Sequence, residues 1–154
     1  MKLRKKSQLQ ERKVAKELNG RVTPASGALD CAKGDVRSDT FLVECKTTSK
    51  DFYSLSFNTW YKISSEAIKD GLRIPIMCID LKDGEKRFAV FCNYDFFSLL
   101  PNSFDYPPIN ITSKSFRIKD EGKVQWLPPR TPKSTYLVIM NWETFVREIV
   151  PNIK

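Results

Sequence analysis

The sequence predicts an α/β fold in which a mixed central sheet is flanked by helices. Two observations carry that expectation. Residues 73–81 form a near-continuous apolar run of strand length, as in a central strand covered on both faces. Upstream, Glu11, Val14, Ala15 and Leu18 fall at i, i+3, i+4 and i+7, one face of a helix over residues 7–19 that Asn19-Gly20 stops. Glu11 is an anomaly there, because an unpaired carboxylate in a core-facing stripe is costly. Glu17 falls on the flank.

The remaining elements follow in order. Residues 21–25 are extended, with Pro24 marking an edge, and Ser26-Gly27 is a turn. Residues 34–37 and 40–48 read as a hairpin around Ser38-Asp39. In its second strand Phe41, Val43 and Cys45 share one face, and Leu42, Glu44, Lys46 and Thr48 the other. A helix over 58–70 has Asn58 as N-cap, Gly71 just past its end, and Trp60, Ile63 and Ala67 as its apolar stripe. After the central strand, residues 82–86 turn into a strand over 87–91, and Asn93 caps a short helix over 94–100.

Seven of the nine prolines lie beyond residue 100, and residues 101–111 and 128–132 read as surface loops. Between them, 115–118 and 123–127 form an expected hairpin, followed by a strand over 135–140 and a helix over 142–150 capped by Asn141. Val90-Phe-Cys-Asn-Tyr-Asp-Phe-Phe is weakly echoed by Val138-Ile-Met-Asn-Trp-Glu-Thr-Phe, which reads as reused local structure. The length of 154 residues fits one domain, with a core over 1–100 and an extension over 101–154.

Composition removes several chemistries. With no histidine, Ser-His-Asp and Cys-His catalysis and His-metal nuclease sites are excluded. The four cysteines lie at least 14 residues apart, so no CxxC pair exists, and they read as reduced, buried thiols. No glycine pattern supports a P-loop or Rossmann site, so no nucleotide cofactor is expected. The longest unbroken apolar stretch, 74–79, contains a proline and is too short to span a bilayer, and no export signal is visible. The expected location is the cytoplasm, away from membranes. The net charge of +8 points to a polyanion, nucleic acid first. The charge is concentrated in residues 1–20, with seven Lys/Arg against two Glu, and in 112–133, with six against two acids.

One constellation carries chemistry. Glu44 and Lys46 are i and i+2 on one strand, about 6.6 Å apart along one face. Asp35 lies on the adjoining hairpin strand and returns to the same neighbourhood. Two carboxylates converging at one point repel, and a divalent cation relieves that repulsion. Mg²⁺ suits such a donor set, with Lys46 orienting or activating water and neutralising a phosphate. An outward Glu–Lys pair on a strand is common by itself and worth little. The Asp-x₈-Glu-x-Lys spacing, in a basic chain without histidine, favours a metal-dependent nuclease site.

Gly34-Asp35 … Phe41-Leu-Val-Glu44-Cys-Lys46-Thr-Thr resembles the PD-(D/E)xK motif of restriction-endonuclease-like nucleases, with Gly34 in place of the proline. The wider pattern, over about residues 7–81, is similar to archaeal-type Holliday-junction resolvases and their phage-encoded relatives. The resemblance implies a restriction-endonuclease-like fold, with a C-terminal hairpin and helix added, and an Mg²⁺-dependent endonuclease acting on branched DNA in recombination or phage DNA processing, with Mn²⁺ able to substitute. It implies that Asp35, Glu44 and the Cys45 carbonyl bind metal, that Glu11 completes the metal site, and that Lys46 serves water and phosphate. A homodimer is implied by paired cuts, and a bacterial host cytoplasm if the chain is phage-encoded. Expected DNA contacts are Arg4, Lys5 and Lys6, carried by the Glu11 helix, with Ser26, Lys33 and Lys62. The alternatives are a restriction- or repair-type endonuclease on the same fold, or a catalytically silent DNA-binding module. Trp60 is expected in the core in preference to stacking on bases.

Overall fold

The structure, a computed structural model, describes residues 3–24, 34–96, 100, 106–126 and 136–153. Ser26, Lys33, Cys31 and the loop over 128–132 lie outside them. Helix α1 (Leu3–Glu17) starts four residues before its expected beginning. It is followed by β1 (Arg21–Val22), β2 (Val36–Arg37), β3 (Phe41–Thr47) and β4 (Tyr53–Ser56). Helix α2 (Phe57–Lys69) leads to β5 (Ile74–Leu81) and, through a tight turn, β6 (Lys86–Cys92). Then come β7 (Ile109–Ile111), β8 (Ser115–Ile118), β9 (Gly122–Trp126) and β10 (Leu137–Asn141). The helical turn α3 (Trp142–Thr144) continues into a wider π-type turn, Phe145–Ile149.

Among the described residues these strands form a mixed eight-stranded sheet in the order β1-β2-β3-β5-β6-β10-β9-β7, and a separate β4–β8 ribbon. Parallel pairing joins β3 to β5 and β7 to β9; the other neighbours are antiparallel. The expected α/β architecture, a mixed central sheet flanked by helices, is therefore present. Each face of the sheet has its own core. On one, Val14, Ala15 and Leu18 of α1 and Trp142, Phe145 and Ile149 pack on Phe41, Val43, Ile76 and Phe91. On the other, Trp60, Ile63 and Ala67 of α2 and Leu55, Phe116 and Ile118 of the ribbon pack on Leu42, Met77, Ile79 and Val90. The alternation along β3 sorts its side chains as expected, and β5, buried from Ile76 to Leu81, is the central strand. Trp60 is core. No helix among the described residues is long and apolar enough to cross a membrane.

Several local expectations are corrected. The strands over 115–118 and 122–126 form, but not as a C-terminal hairpin. β8 pairs with β4, whereas β9 pairs with β10 and β7. The alternating β8 side chains Phe116 and Ile118 are buried with Leu55 against the α2 side of the sheet, which draws β8 away from β9. Ser56, not Asn58, caps α2: its hydroxyl accepts from the Thr59 N–H at 3.2 Å. The Asn93 side chain accepts from the Tyr136 N–H at 3.0 Å and ties β6 to the start of β10. Asn141 caps α3 as expected, accepting from the Thr144 N–H at 3.2 Å. The two echoed segments are neighbours in the sheet, with Val138 opposite Phe91.

Candidate active site

The site forms because β2 is short. β2 and β3 pair at Val36–Val43 and Arg37–Leu42, and the Asp35 N–H donates to the Val43 carbonyl at 2.9 Å. Beyond that point no strand among the described residues pairs with this edge of β3. The Cys45 N–H donates instead to Asp35 Oδ2 at 2.7 Å. In a strand, a residue's N–H and C=O point to the same edge, so the Cys45 carbonyl points to the edge on which Asp35 lies.

Gly34 sets the direction in which Asp35 enters. Its φ is +65°, and a Cβ there would lie 2.9 Å from the Leu42 side chain and 3.2 Å from the Val43 oxygen. Proline, locked near −65°, cannot take this conformation. The glycine in place of the motif's proline is therefore required by this turn.

Glu44 and Lys46 project from β3 on the α2 side, and Lys46 Nζ lies 2.7 Å from Glu44 Oε1. Both are partly exposed, at 22% for Glu44 and 35% for Lys46. Burial works against the Lys46 ammonium, but the bonded Glu44 carboxylate, with Asp35 nearby, outweighs it and raises the pKa above the ordinary lysine value. Lys46 thus stays charged at neutral pH. Asp35 is pushed the other way. Desolvation, then the Glu44 charge, with Glu11 adding to them, outweigh the Cys45 N–H and Lys46 and raise its carboxyl to about 6. Negative charge is crowded here.

Glu11 lies within electrostatic reach of Asp35 and is half-buried, with Oε1 accepting from the Ser7 hydroxyl at 2.9 Å. The most deeply buried polar group of α1 is its neighbour Gln10, 3% exposed. Gln10 Nε2 donates to the Lys46 carbonyl at 3.0 Å and the Cys78 carbonyl at 3.1 Å, fastening α1 to β3 and β5 behind the site. Its Oε1 is buried with no hydrogen-bond partner. The spacing Gln10, Val14, Leu18 marks this position as core-facing. Glu17 is likewise structural, since its Oε2 accepts from the Trp142 indole N–H at 2.7 Å.

Tyr53, at the start of β4, is a second residue that sequence reasoning missed. Burial raises its phenol pKa; Lys46 works against the rise and Glu44 adds to it, so the phenol belongs to the same electrostatic group. No sequence pattern pointed to it, because β4 was not expected. The Cys45 thiol faces the opposite core beside Cys78, and that hydrogen-bonded contact and burial push its pKa well up, so it is inert.

The expected DNA contacts are spread more widely. Arg4 and Lys5 are exposed on the first turn of α1, whereas Lys6 Nζ lies 2.7 Å from Asp83 Oδ1 in the turn before β6. Lys62 is exposed on α2.

Among the described residues, no three His, Cys, Asp or Glu side chains converge closely enough to hold a metal ion. The donors within electrostatic reach of each other are two carboxylates, Asp35 and Glu44, beside the Cys45 backbone. That set fits Mg²⁺, which is held by one or two carboxylates and keeps waters and substrate phosphates as its other ligands. The crowding of negative charge around Asp35 is the imbalance such a cation would relieve.

No protein-family model matches the chain, and no curated protein matches it. Among solved structures, the chain is similar to that of Archaeoglobus fulgidus Hjc, a Holliday junction resolvase from an archaeal hyperthermophile, with 17% sequence identity and a TM-score of 0.46. The similarity covers 71% of this chain and 84% of that one.

Proposed function

We propose that the protein hydrolyses phosphodiester bonds in DNA at Asp35, Glu44 and Lys46 with the help of a divalent cation, Mg²⁺ or in its place Mn²⁺. The observation that carries this reading is that Asp35, bonded to the Cys45 N–H just beyond the β2–β3 pairing, lies within electrostatic reach of the Glu44–Lys46 pair. Asp35, Glu44 and the Cys45 carbonyl would hold the cation, with Glu11 completing its surroundings through water. When bound, the cation supplies Lewis acidity toward the phosphate and a more acidic water. The protein supplies the rest. Lys46, kept protonated by Glu44, is unsuited to accept a proton; it places positive charge against the phosphate and orients the attacking water. Water oxygen attacks phosphorus and gives up a proton to solvent, the bond to the leaving oxygen breaks, and that oxygen takes up a proton from solvent, which leaves a phosphomonoester and an alcohol.

The substrate we assign is branched DNA such as a four-way junction, cut by a homodimer that offers two sites. Support comes from the resemblance of residues 7–81 to resolvase sequences and from the +8 charge. The test is purified protein with Mg²⁺ on a four-way junction beside a linear duplex of the same sequence. Symmetric cuts in the junction with the duplex left intact are expected. Equal cutting of both would reject the junction preference and keep the nuclease, and no cutting of either would reject the nuclease.

A further inference from the structure

The β4–β8 ribbon has two faces of opposite character. Leu55, Phe116 and Ile118 are buried beneath it. On the outer face, exposed Ser54 stands opposite exposed Arg117, with exposed Ser115 at the next outward position of β8. Exposed Lys114 and Lys119 flank β8. Arg117 lies over the Phe52 ring, its guanidinium carbon 4.5 Å from the centroid, and Lys50 Nζ is 5.4 Å from the same centroid. Against these four cations stands exposed Asp51. Asp120 leans toward Lys86, at 3.8 Å, and Glu121 accepts from the Tyr106 hydroxyl at 3.3 Å. No salt bridge among the described residues engages Lys50, Lys114, Arg117 or Lys119.

We propose that this outer face is a phosphate-gripping surface for duplex DNA, placed beside the cleavage site by the residues beyond 100. The proposal rests on the nuclease reading and adds the surface that holds the substrate. Arginine, lysine and serine hydroxyls are the groups that contact DNA phosphates, and such contacts set position without reading sequence. Holding Arg117 against Phe52 lowers the side-chain freedom it has left to lose on binding. Location supplies the link to chemistry. Tyr53 opens β4 on the inner face, opposite Ile118, within electrostatic reach of Lys46 and Glu44. A backbone lying in the site therefore passes the ribbon. By pairing with β4 and not β9, β8 sets Arg117 opposite Ser54 on the ribbon.

The test compares wild type with a triple variant, Lys114→Ala, Arg117→Ala and Lys119→Ala. Fluorescence anisotropy on a labelled duplex, without divalent ions and over a salt series, reads affinity and its salt dependence. The slope of log K against log[salt] should become shallower by up to about 2–3 units, and low-salt affinity should fall by roughly tenfold or more. Arg117→Met, which keeps an apolar stem over Phe52, should still shift the slope by up to about one unit. Lys69→Ala, at the far end of α2, should change neither. With Mg²⁺, the triple variant should show a raised KM and a near wild-type kcat. An unchanged slope in a protein that cuts DNA overturns the ribbon and leaves the nuclease standing. A shallower slope in a protein that never cuts upholds the ribbon and rejects the nuclease. A wild type that does not bind DNA overturns both.

Discussion

Two acid–base pairs sit in the same sheet and have opposite characters. Asp80 of β5 and Arg87 of β6 stand directly opposite each other across the strand pair. They meet bidentately, Nε–Oδ1 at 2.5 Å and Nη2–Oδ2 at 2.8 Å, with side chains only 6% and 15% exposed. Glu44 and Lys46 share one strand, meet through a single contact, and are more open to solvent. The first pair neutralises itself: burial disfavours the Arg87 charge, but Asp80 more than restores it. The second has a further carboxylate, Asp35, pressed against it and raised to about 6. A closed pair is architecture. An open pair crowded by a third charge is a place where a cation and a phosphate have something to neutralise.

Breaking each pair should separate these roles, and the largest effect belongs to the closed one. Asp80→Ala leaves the Arg87 charge buried without its partner and should cost about 3–5 kcal/mol in chemical denaturation. Lys46→Met breaks a half-exposed pair and should cost about 1 kcal/mol or less. Equal losses would show that the two pairs are not different in kind.

The crowding itself predicts a pH dependence. A carboxyl whose folded-state pKa, about 6, exceeds its ordinary 3.8 binds its proton more tightly in the folded protein. Its contribution is fully stabilising below about pH 4 and is lost as pH rises through 6. Asp35→Asn keeps an oxygen for the Cys45 N–H and removes the charge. In metal-free protein it should match wild type near pH 4 and be more stable by up to about 3 kcal/mol above pH 7. Melts of both proteins across that range measure the difference. A variant less stable than wild type at pH 7.5 would place the crowding elsewhere.

A smaller effect than those of Asp80 and Asp35 concerns the support behind the site. Gln10→Leu removes two donations to backbone carbonyls while also removing the unpartnered Oε1, so a loss of about 1–2 kcal/mol is expected. Because one of those carbonyls belongs to Lys46, cleavage should fall more than a loss of stability alone explains. A variant destabilised but fully active at low temperature would make Gln10 purely structural.

How much of this was legible depended on whether a signal was local. The β2–β3 hairpin and the two faces of β3 follow from alternation within a few residues, and β5 from an unbroken apolar run, and Asp35, Glu44 and Lys46 came with the hairpin. The β4–β8 ribbon was hidden because Tyr-Ser-Leu-Ser buries one apolar side chain fully and its partner lies some 60 residues away. No periodicity within four residues reveals such a pairing. The short stretch between β8 and β9 suits a hairpin as well as a corner between two sheets, and burial of Phe116 and Ile118 decided for the corner. Gln10 and Glu11 are adjacent on α1, and a stripe read by spacing alone cannot say which of two neighbours turns fully inward. The structure buries Gln10 and leaves Glu11 at the rim of the site.

The central claim is that Asp35, Glu44 and Lys46 form a cation-dependent phosphodiesterase. Its most direct test is the single-turnover cleavage rate on end-labelled junction DNA, with Mg²⁺ and with chelator, for wild type, Glu44→Gln and Lys46→Ala, each checked for an intact thermal melt. The account predicts Mg²⁺-dependent cutting by wild type and a loss of at least about 100-fold in both variants, with DNA binding retained. Cutting that persists in chelator, or in folded variants at the wild-type rate, would contradict it.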